Sequence, residues 1–126
     1  MYYVEARMKR PLILVLVLAL SAIGARADRY DDCNQEQDLD RAIRGCTQII
    51  ERRQQESQEN RALAYSNRGN AYGKKGDVDR AIADYTKAIE LAPTRALAYY
   101  NRGVTYGRKG DVDRAIATTP RPSSSA

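Results

Sequence analysis

Histidine is absent from this 126-residue chain, as are tryptophan and phenylalanine, so that its nine aromatic residues are all tyrosines. The lack of histidine removes the commonest general acid–base group of enzymes. The two cysteines are accompanied by no CxxC pair, which leaves too few ligands for a metal. The glycine-containing stretches 73–77 and 107–111 have the wrong spacing for a phosphate-binding loop. We therefore expect no catalytic residue, no cofactor and no metal; an enzyme would need a chemical group that is not visible here.

What the chain does contain is an internal repeat with a period of 34 residues. Residues 61–83 recur as residues 95–117, and the two copies differ only in the pairs Ser66/Tyr100, Asn70/Val104, Ala71/Thr105 and Lys74/Arg108. A fixed period of this length is typical of stacked repeat architectures. Such stacks usually present a surface to a partner and seldom contain an active site.

Each repeat is predicted to form two helices. In residues 62–75, Tyr65, Gly69 and Tyr72 fall on one helical face. Residues 78–91 carry apolar side chains at three- and four-residue spacing, and Pro93 ends that helix. The expected boundary residues recur in both units: Asn60 and Thr94 as N-caps of the first helices, Gly76 and Gly110 at their ends, and Asp77 and Asp111 as N-caps of the second helices.

These residues resemble the tetratricopeptide repeat family. The matching positions are Tyr65, Gly69, Tyr72, Ala81, Tyr85 and Pro93 in one unit, and Tyr99, Gly103, Tyr106 and Ala115 in the next. Arg68 and Arg102 depart from the family, which usually has leucine there; we expect their stems to pack while the charged ends reach water. The resemblance implies an all-α fold, with antiparallel helix hairpins stacked as a short solenoid. It also implies a protein–protein interaction scaffold with a protein or peptide partner.

A weaker copy precedes the two strong ones. Residues 40–43 match residues 79–82, and one helix face carries Leu39, Ala42, Ile43, Cys46, Ile49 and Ile50. Residues 51–60 should hold a helix end and a polar connection. Only residues 28–37 remain for the first helix of this copy, which is too short for a complete one. The predicted organisation is a signal peptide (1–27), a degenerate capping repeat (28–60), a full repeat (61–94), an incomplete repeat (95–117) and a disordered Pro/Ser tail (118–126).

The N-terminal segment has the pattern of an export signal. Met8, Lys9 and Arg10 form a basic start, residues 12–20 are an unbroken apolar run, and residues 25–27 offer a small-x-small cleavage site. We expect cleavage after Ala27, release to the bacterial periplasm or the medium, and no stable membrane anchor afterwards. The alternative is an uncleaved signal anchor, for which residues 12–20 are short. Translation can start at Met1 or at Met8.

Cleavage changes the charge of the chain. The whole sequence has a formal net charge of +5, whereas residues 28–126 carry 17 basic and 15 acidic side chains, a net charge of +2. The basic residues of this part alternate with acidic ones along the predicted helices. We therefore expect no nucleic-acid partner.

Cys33 and Cys46 are the only cysteines. Cys46 aligns with Tyr85, and Cys33 lies in the capping segment that would pack against it. Export to an oxidising compartment favours a disulfide, which would stabilise the fold by about 3 kcal/mol through the entropy of the closed loop. The alternative is that Cys46 is a small buried apolar residue and Cys33 an incidental thiol.

The repeat breaks off after Ala117. A copy of residues 84–91, DYTKAIEL, is expected there, but the chain reads TTPRPSSS. One coding of the expected residues, GAC TAC ACC AAG GCC ATC GAG CTC, yields those eight residues when it is read one base later. The hypothesis is a one-base deletion near the Ala117 codon that truncates a longer array, which would make this chain a non-functional remnant. The alternative is an ordinary Pro/Ser-rich tail.

The candidate binding residues lie on the first helix of each repeat, opposite the Tyr/Gly face. They are Leu63, Asn67, Asn70 and Lys74 in one unit and Leu97, Asn101, Val104 and Arg108 in the next. The family resemblance implies that this face lines a concave peptide-binding groove. Asparagine amides pair with a peptide backbone, and lysine or arginine holds a carboxylate. Two of the differing pairs, Ser66/Tyr100 and Asn70/Val104, lie on or beside it. The alternative is a merely solvated polar face.

Overall fold

The computed structural model describes residues 2–118, with side chains described from residue 12 onward. This part of the chain is helical and contains no strand, which confirms the all-α prediction. The helices are α1 (Tyr2–Asn34), α2 (Leu39–Glu51), α3 (Gln58–Lys74), α4 (Val78–Leu91), α5 (Ala96–Lys109) and α6 (Val112–Thr118). Thr118, the first residue of the predicted tail, ends α6; the remainder of that tail, 119–126, lies outside the described residues.

Helices that follow one another in the chain pack together as antiparallel hairpins. In addition, α1 contacts α3 and α3 contacts α5, whereas α2, α4 and α6 do not contact one another within residues 2–118. The odd-numbered helices are therefore the closer-packed layer. In a curved helical stack the closer-packed layer lies on the inner side. We therefore call α1, α3 and α5 the concave layer and refer to their exposed face as the groove.

The predicted boundaries around Gly76 and Gly110 are confirmed. Both glycines adopt the left-handed conformation that ends a helix, with φ of 82° and 84°. Asp77 then caps α4 by accepting a hydrogen bond from the backbone N–H of Arg80 at 3.1 Å. This bond, together with the Arg80 side chain, holds the pKa of the Asp77 carboxyl below its usual value. Asp111 caps α6 through the same bond, to the N–H of Arg114.

The predicted N-caps Asn60 and Thr94 are wrong. Ser57 caps α3, because its hydroxyl accepts a hydrogen bond from the N–H of Asn60 at 3.0 Å and lets the helix begin one turn earlier. Thr94 belongs to a turn in which the N–H of Arg95 donates to the carbonyl of Ala92 at 3.1 Å. Helix α5 consequently starts at Ala96 without a side-chain cap.

The N-terminal copy packs through a close approach of α1 to α2. A side chain at Gly45 would lie 2.6 Å from the Cβ of Asp32 and 2.7 Å from the backbone nitrogen of Cys33, so only glycine fits there. Cys33 and Cys46 form the predicted disulfide, with their Cα atoms 4.5 Å apart. The core around this bond contains both cysteines, Ile49, Ile50 and Ala64, with Tyr30 and Tyr65 packed against it.

Among the α1 side chains that the structure describes, those in this packing lie at the C-terminal end of the helix. Residues 12–28 are exposed, and Arg29 is the first buried residue along the chain from residue 12. The Tyr30 hydroxyl donates to the buried carboxylate of Glu56, and the side-chain amide of Asn60 donates to Tyr30 at 3.0 Å. No helix within the described residues combines the length and apolarity needed to cross a membrane.

Candidate functional site

The eight predicted groove residues all lie on α3 and α5 of the concave layer. Leu63 is 36% exposed and Leu97 64% exposed, while Lys74 and Arg108 are exposed at the far ends of their helices. The groove is therefore apolar near the start of α3 and α5 and basic near their ends. A peptide that extends along these helices would meet both environments.

The asparagines of the groove form bonds between neighbouring repeats. The side-chain amide of Asn67 donates to the amide oxygen of Asn34 at 2.8 Å, and that of Asn101 donates to the amide oxygen of Asn70 at 3.0 Å. Each repeat is thus tied to the preceding one by an asparagine pair. Each donating amide has a second N–H and an acceptor oxygen, so these bonds use only part of its hydrogen-bonding capacity.

The groove continues to the end of α1. A small cleft of about 50 Å³ is bounded by residues of α1, α2, α3 and the connection after α1, including Asn34, Glu36 and Asn67. Glu36 pairs with Lys74 at 3.2 Å, and both side chains are exposed. The sequence analysis did not identify Asn34 or Glu36, because no repeat pattern marks the connection after α1. An anionic ligand would compete with Glu36 for Lys74.

Arg108 differs from its counterpart Lys74. Within the described part of the chain it forms no ion pair. Because Arg108 is exposed, it can hold a carboxylate or a backbone carbonyl of a ligand.

The exchange of Ser66 for Tyr100 and Asn70 for Val104 makes the second repeat more apolar than the first. Tyr100 is 58% exposed and Val104 44% exposed. Together with Leu97 they fall at i, i+3 and i+7 on α5, which places all three on one face. The predicted list omitted Tyr100, although the difference from Ser66 was visible in the repeat comparison.

Tyr85 of α4 packs against α3 and contacts one of the groove residues, Asn70. The side chain is 3% exposed and packs over Gly69, and its hydroxyl donates to the amide oxygen of Asn70 at 2.7 Å. Burial raises the pKa of Tyr85 to about 12, against the smaller lowering effects of Thr105 and Arg108. The amide oxygen of Asn70 thus accepts from both Tyr85 and Asn101, which orients it at the junction of the two repeats.

The raised pKa of Tyr85 predicts alkaline unfolding. The neutral phenol is favoured in the fold, so its contribution is complete below pH 10 and is lost as the pH rises from 10 towards 12. We expect the free energy of unfolding to fall by about 2–3 kcal/mol over that range. Urea denaturation at each pH measures it. Y85F should flatten the dependence, whereas Y100F, at an exposed tyrosine, should retain it; equal profiles for the two variants would contradict the assignment.

Arg68 corrects a prediction. Its charged end is largely held inside the protein: Nε and Nη2 each donate to a carboxylate oxygen of Asp84 at 2.8 Å, and Nη1 donates to the hydroxyl of Thr47 at 2.9 Å. The side chains of Arg68 and Asp84 are only 17% and 8% exposed. Burial disfavours the charged guanidinium, but the bonds and charge of Asp84 outweigh it, so the pKa of Arg68 is raised. Leucine at this position is thus replaced by a buried ion pair that joins α3 to α4.

A family model described as TPR repeat matches residues 69–110. The match supports a tetratricopeptide repeat protein. It begins at Gly69 within α3, includes all of α4 and ends at Gly110 after α5, so it covers the repeat junction that carries the Asn70–Asn101 bond. No curated protein matches the chain. A tetratricopeptide repeat indicates a protein–protein interaction module, a fold that generally serves as a non-enzymatic scaffold.

Among the residues that the structure describes, no cluster of histidine, cysteine, aspartate or glutamate could hold a metal ion. The buried titratable side chains of this part form ion pairs and hydrogen bonds that join helices, as Arg68 and Asp84 do.

Proposed function

We propose that this protein is an exported scaffold that binds an extended protein segment in the groove formed by α1, α3 and α5. The observation that carries the proposal is the exposed apolar face of Leu97, Tyr100 and Val104 on the concave layer. Exposed apolar side chains grouped in a concave surface are typical of interaction sites. Arg108 at the end of this face favours a partner with a carboxylate after its apolar side chains.

Converting Tyr100 to serine and Val104 to asparagine tests this proposal, because the first repeat already carries Ser66 and Asn70 at the equivalent positions. The probes are peptides selected from a random library on the unmodified protein, and their affinities are measured by fluorescence polarisation. Loss of a central aromatic contact commonly costs about 2 kcal/mol or more, so we expect Kd to rise at least about 10-fold for the double variant.

The matched control is V112S, which removes an exposed apolar side chain from α6, outside the concave layer. It should leave Kd unchanged. Peptides that bind Y100S/V104N and the unmodified protein equally would show that this face is not the binding site.

The proposal of export rests on the pattern of residues 1–27 and on where burial begins. The large apolar side chains of residues 12–23 are all exposed, and packing starts at Arg29, two positions beyond the proposed cleavage after Ala27. Cleavage would remove the hydrogen bond from Arg29 to the carbonyl of Ala25 but would retain the hydrogen bond from Tyr30 to Glu56. The intact mass of protein recovered from the periplasm tests this: a chain starting at Asp28 is expected, and a retained Met1 or Met8 would contradict it.

We also propose that residues 118–126 are translated in a shifted frame. The support is the agreement of residues 118–125 with a one-base shift of the codons for residues 84–91. Reading the downstream nucleotides in the other frame is the test, and further repeats are expected there. The absence of any repeat would overturn the proposal.

The second candidate is a truncated remnant without a function of its own. The exposure of Val112 (61%) and Ile116 (68%) on α6 favours it, because repeat stacks need a polar face at their ends for solubility. Cooperative thermal melting of purified residues 28–126 would count against the remnant, and peptide binding in the groove would exclude it.

A further inference from the structure

The Arg68 ion pair has a second, incomplete copy in the next repeat. In the complete copy the guanidinium has three polar contacts, from Nε and Nη2 to Asp84 and from Nη1 to Thr47. It also lies 5.4 Å from the ring of Tyr65 and 5.9 Å from that of Tyr72. Thr47 belongs to α2, and both tyrosines belong to α3 with Arg68. The carboxylate comes from the second helix of the hairpin, α4.

Arg102 repeats most of this arrangement. Its Nη1 donates to the hydroxyl of Thr86 at 3.2 Å, as Arg68 does to Thr47, and its guanidinium lies 5.8 Å from the ring of Tyr99. The residue equivalent to Asp84, one period of 34 later, is Thr118, which is 7% exposed. The position on α6 that corresponds to Asp84 is therefore buried, but it holds a neutral side chain.

The consequence is an unsatisfied donor. Nε of Arg102 is buried and has no hydrogen-bond partner among the described residues, whereas Nε of Arg68 donates to Asp84 at 2.8 Å. A buried charged donor without a partner is costly. Arginine favours a carboxylate because its two parallel N–H groups match the two oxygens. Threonine has a single hydroxyl oxygen and no charge, so it cannot supply that pair.

We propose that the α6-facing side of Arg102 is a carboxylate site, and that its proper occupant is an aspartate at position 118. The site is completed by Thr86 and Tyr99, which the structure already holds in place. Its function is to fasten α6 to α5 and so to hold the helix that presents Tyr100 and Val104. The inference rests on the contacts of Arg102 and is independent of how residue 118 came to be threonine.

The test is Thr118→Asp in the full chain. We expect the midpoint of thermal unfolding to rise by about 5 °C, measured by circular dichroism. The matched control is A117D, which adds the same charge one residue earlier in the last turn of α6, at an exposed position. It should produce no rise, because a carboxylate at an exposed position stays hydrated and lies unfavourably near a helix C-terminus. A T118D chain no more stable than A117D would overturn the proposal.

Arg102→Leu then shows whether the gain depends on the guanidinium. In that background T118D should lower the midpoint, since it buries a carboxylate without a partner. The gain in the original background should be complete above about pH 4 and decline progressively as the pH falls further, because the ion pair lowers the pKa of the introduced aspartate below its ordinary value. A rise of equal size in the R102L background would overturn the proposal. The reading-frame proposal is tested by the nucleotide sequence and the carboxylate-site proposal by these variants, so either proposal can fail without the other.

Discussion

Replacing Asp84 with alanine is expected to lower the free energy of unfolding by about 3–5 kcal/mol. The change removes the carboxylate that accepts both hydrogen bonds from Arg68, and it leaves a guanidinium that is only 17% exposed without a counter-charge. Thr47 is a neutral acceptor and cannot replace it. The midpoint of urea denaturation measures the loss.

The matched control is D79A on the same helix. Asp79 pairs with Lys109, but the two side chains are 79% and 47% exposed, so removal should cost less than about 1 kcal/mol. Equal losses for D79A and D84A would show that burial of the Arg68 pair is unimportant. Replacing both Arg68 and Asp84 with leucine should recover most of the stability, because an apolar pair needs no counter-charge.

Replacing Cys33 and Cys46 together with alanine is expected to cost about 3 kcal/mol, because the unfolded chain gains the entropy of an open loop. The two residues are 13 positions apart, and the bond attaches the end of α1 to α2 where Gly45 allows close contact. Thermal melting with and without a reductant is the measurement. The unmodified protein should lose stability on reduction, whereas the double variant should be insensitive to the reductant.

If reduction leaves the melting temperature of the unmodified protein unchanged, the bond does not contribute to stability. Reduction of the disulfide is also expected to affect the groove. Asn34 follows Cys33 directly and accepts the hydrogen bond from Asn67, so a detached α1 would remove one wall of the cleft. Weaker peptide binding on reduction is therefore expected together with the loss of stability.

Much of the local structure could be predicted because it depends on neighbours in the chain. Gly76 and Asp77 mark the turn between α3 and α4 through a left-handed glycine and a side-chain cap, and both act within a few residues of themselves. Helix α4, Val78–Leu91, has the predicted bounds. Ser57 was not predicted as the N-cap, because Asn60 occupies the repeat position of Thr94. The hydroxyl that accepts the capping hydrogen bond lies three residues earlier.

The hydrogen bonds between repeats in the groove could not be predicted from the sequence. The 34-residue period places Asn67 and Asn101 on equivalent faces, but it does not reveal that one donates to Asn34 and the other to Asn70. These bonds join different repeats, and their geometry depends on the distance between α1, α3 and α5. Alanine at Asn67 or Asn101 would consequently disturb the stack as well as the binding surface, which is why Tyr100 and Val104 make the better test.

By itself, the sequence determined the helical repeat, the bounds of α4 and the glycines that end α3 and α5, and it favoured the pairing of the two cysteines. It could do so because periodicity, local turn residues and cysteine count are properties of the chain. Only the tertiary structure decided that Arg68 is buried against Asp84, and that Arg102 has the same surroundings without a carboxylate. The physical reason is that the cost of burying a charge depends on what the packed neighbouring helix places beside it.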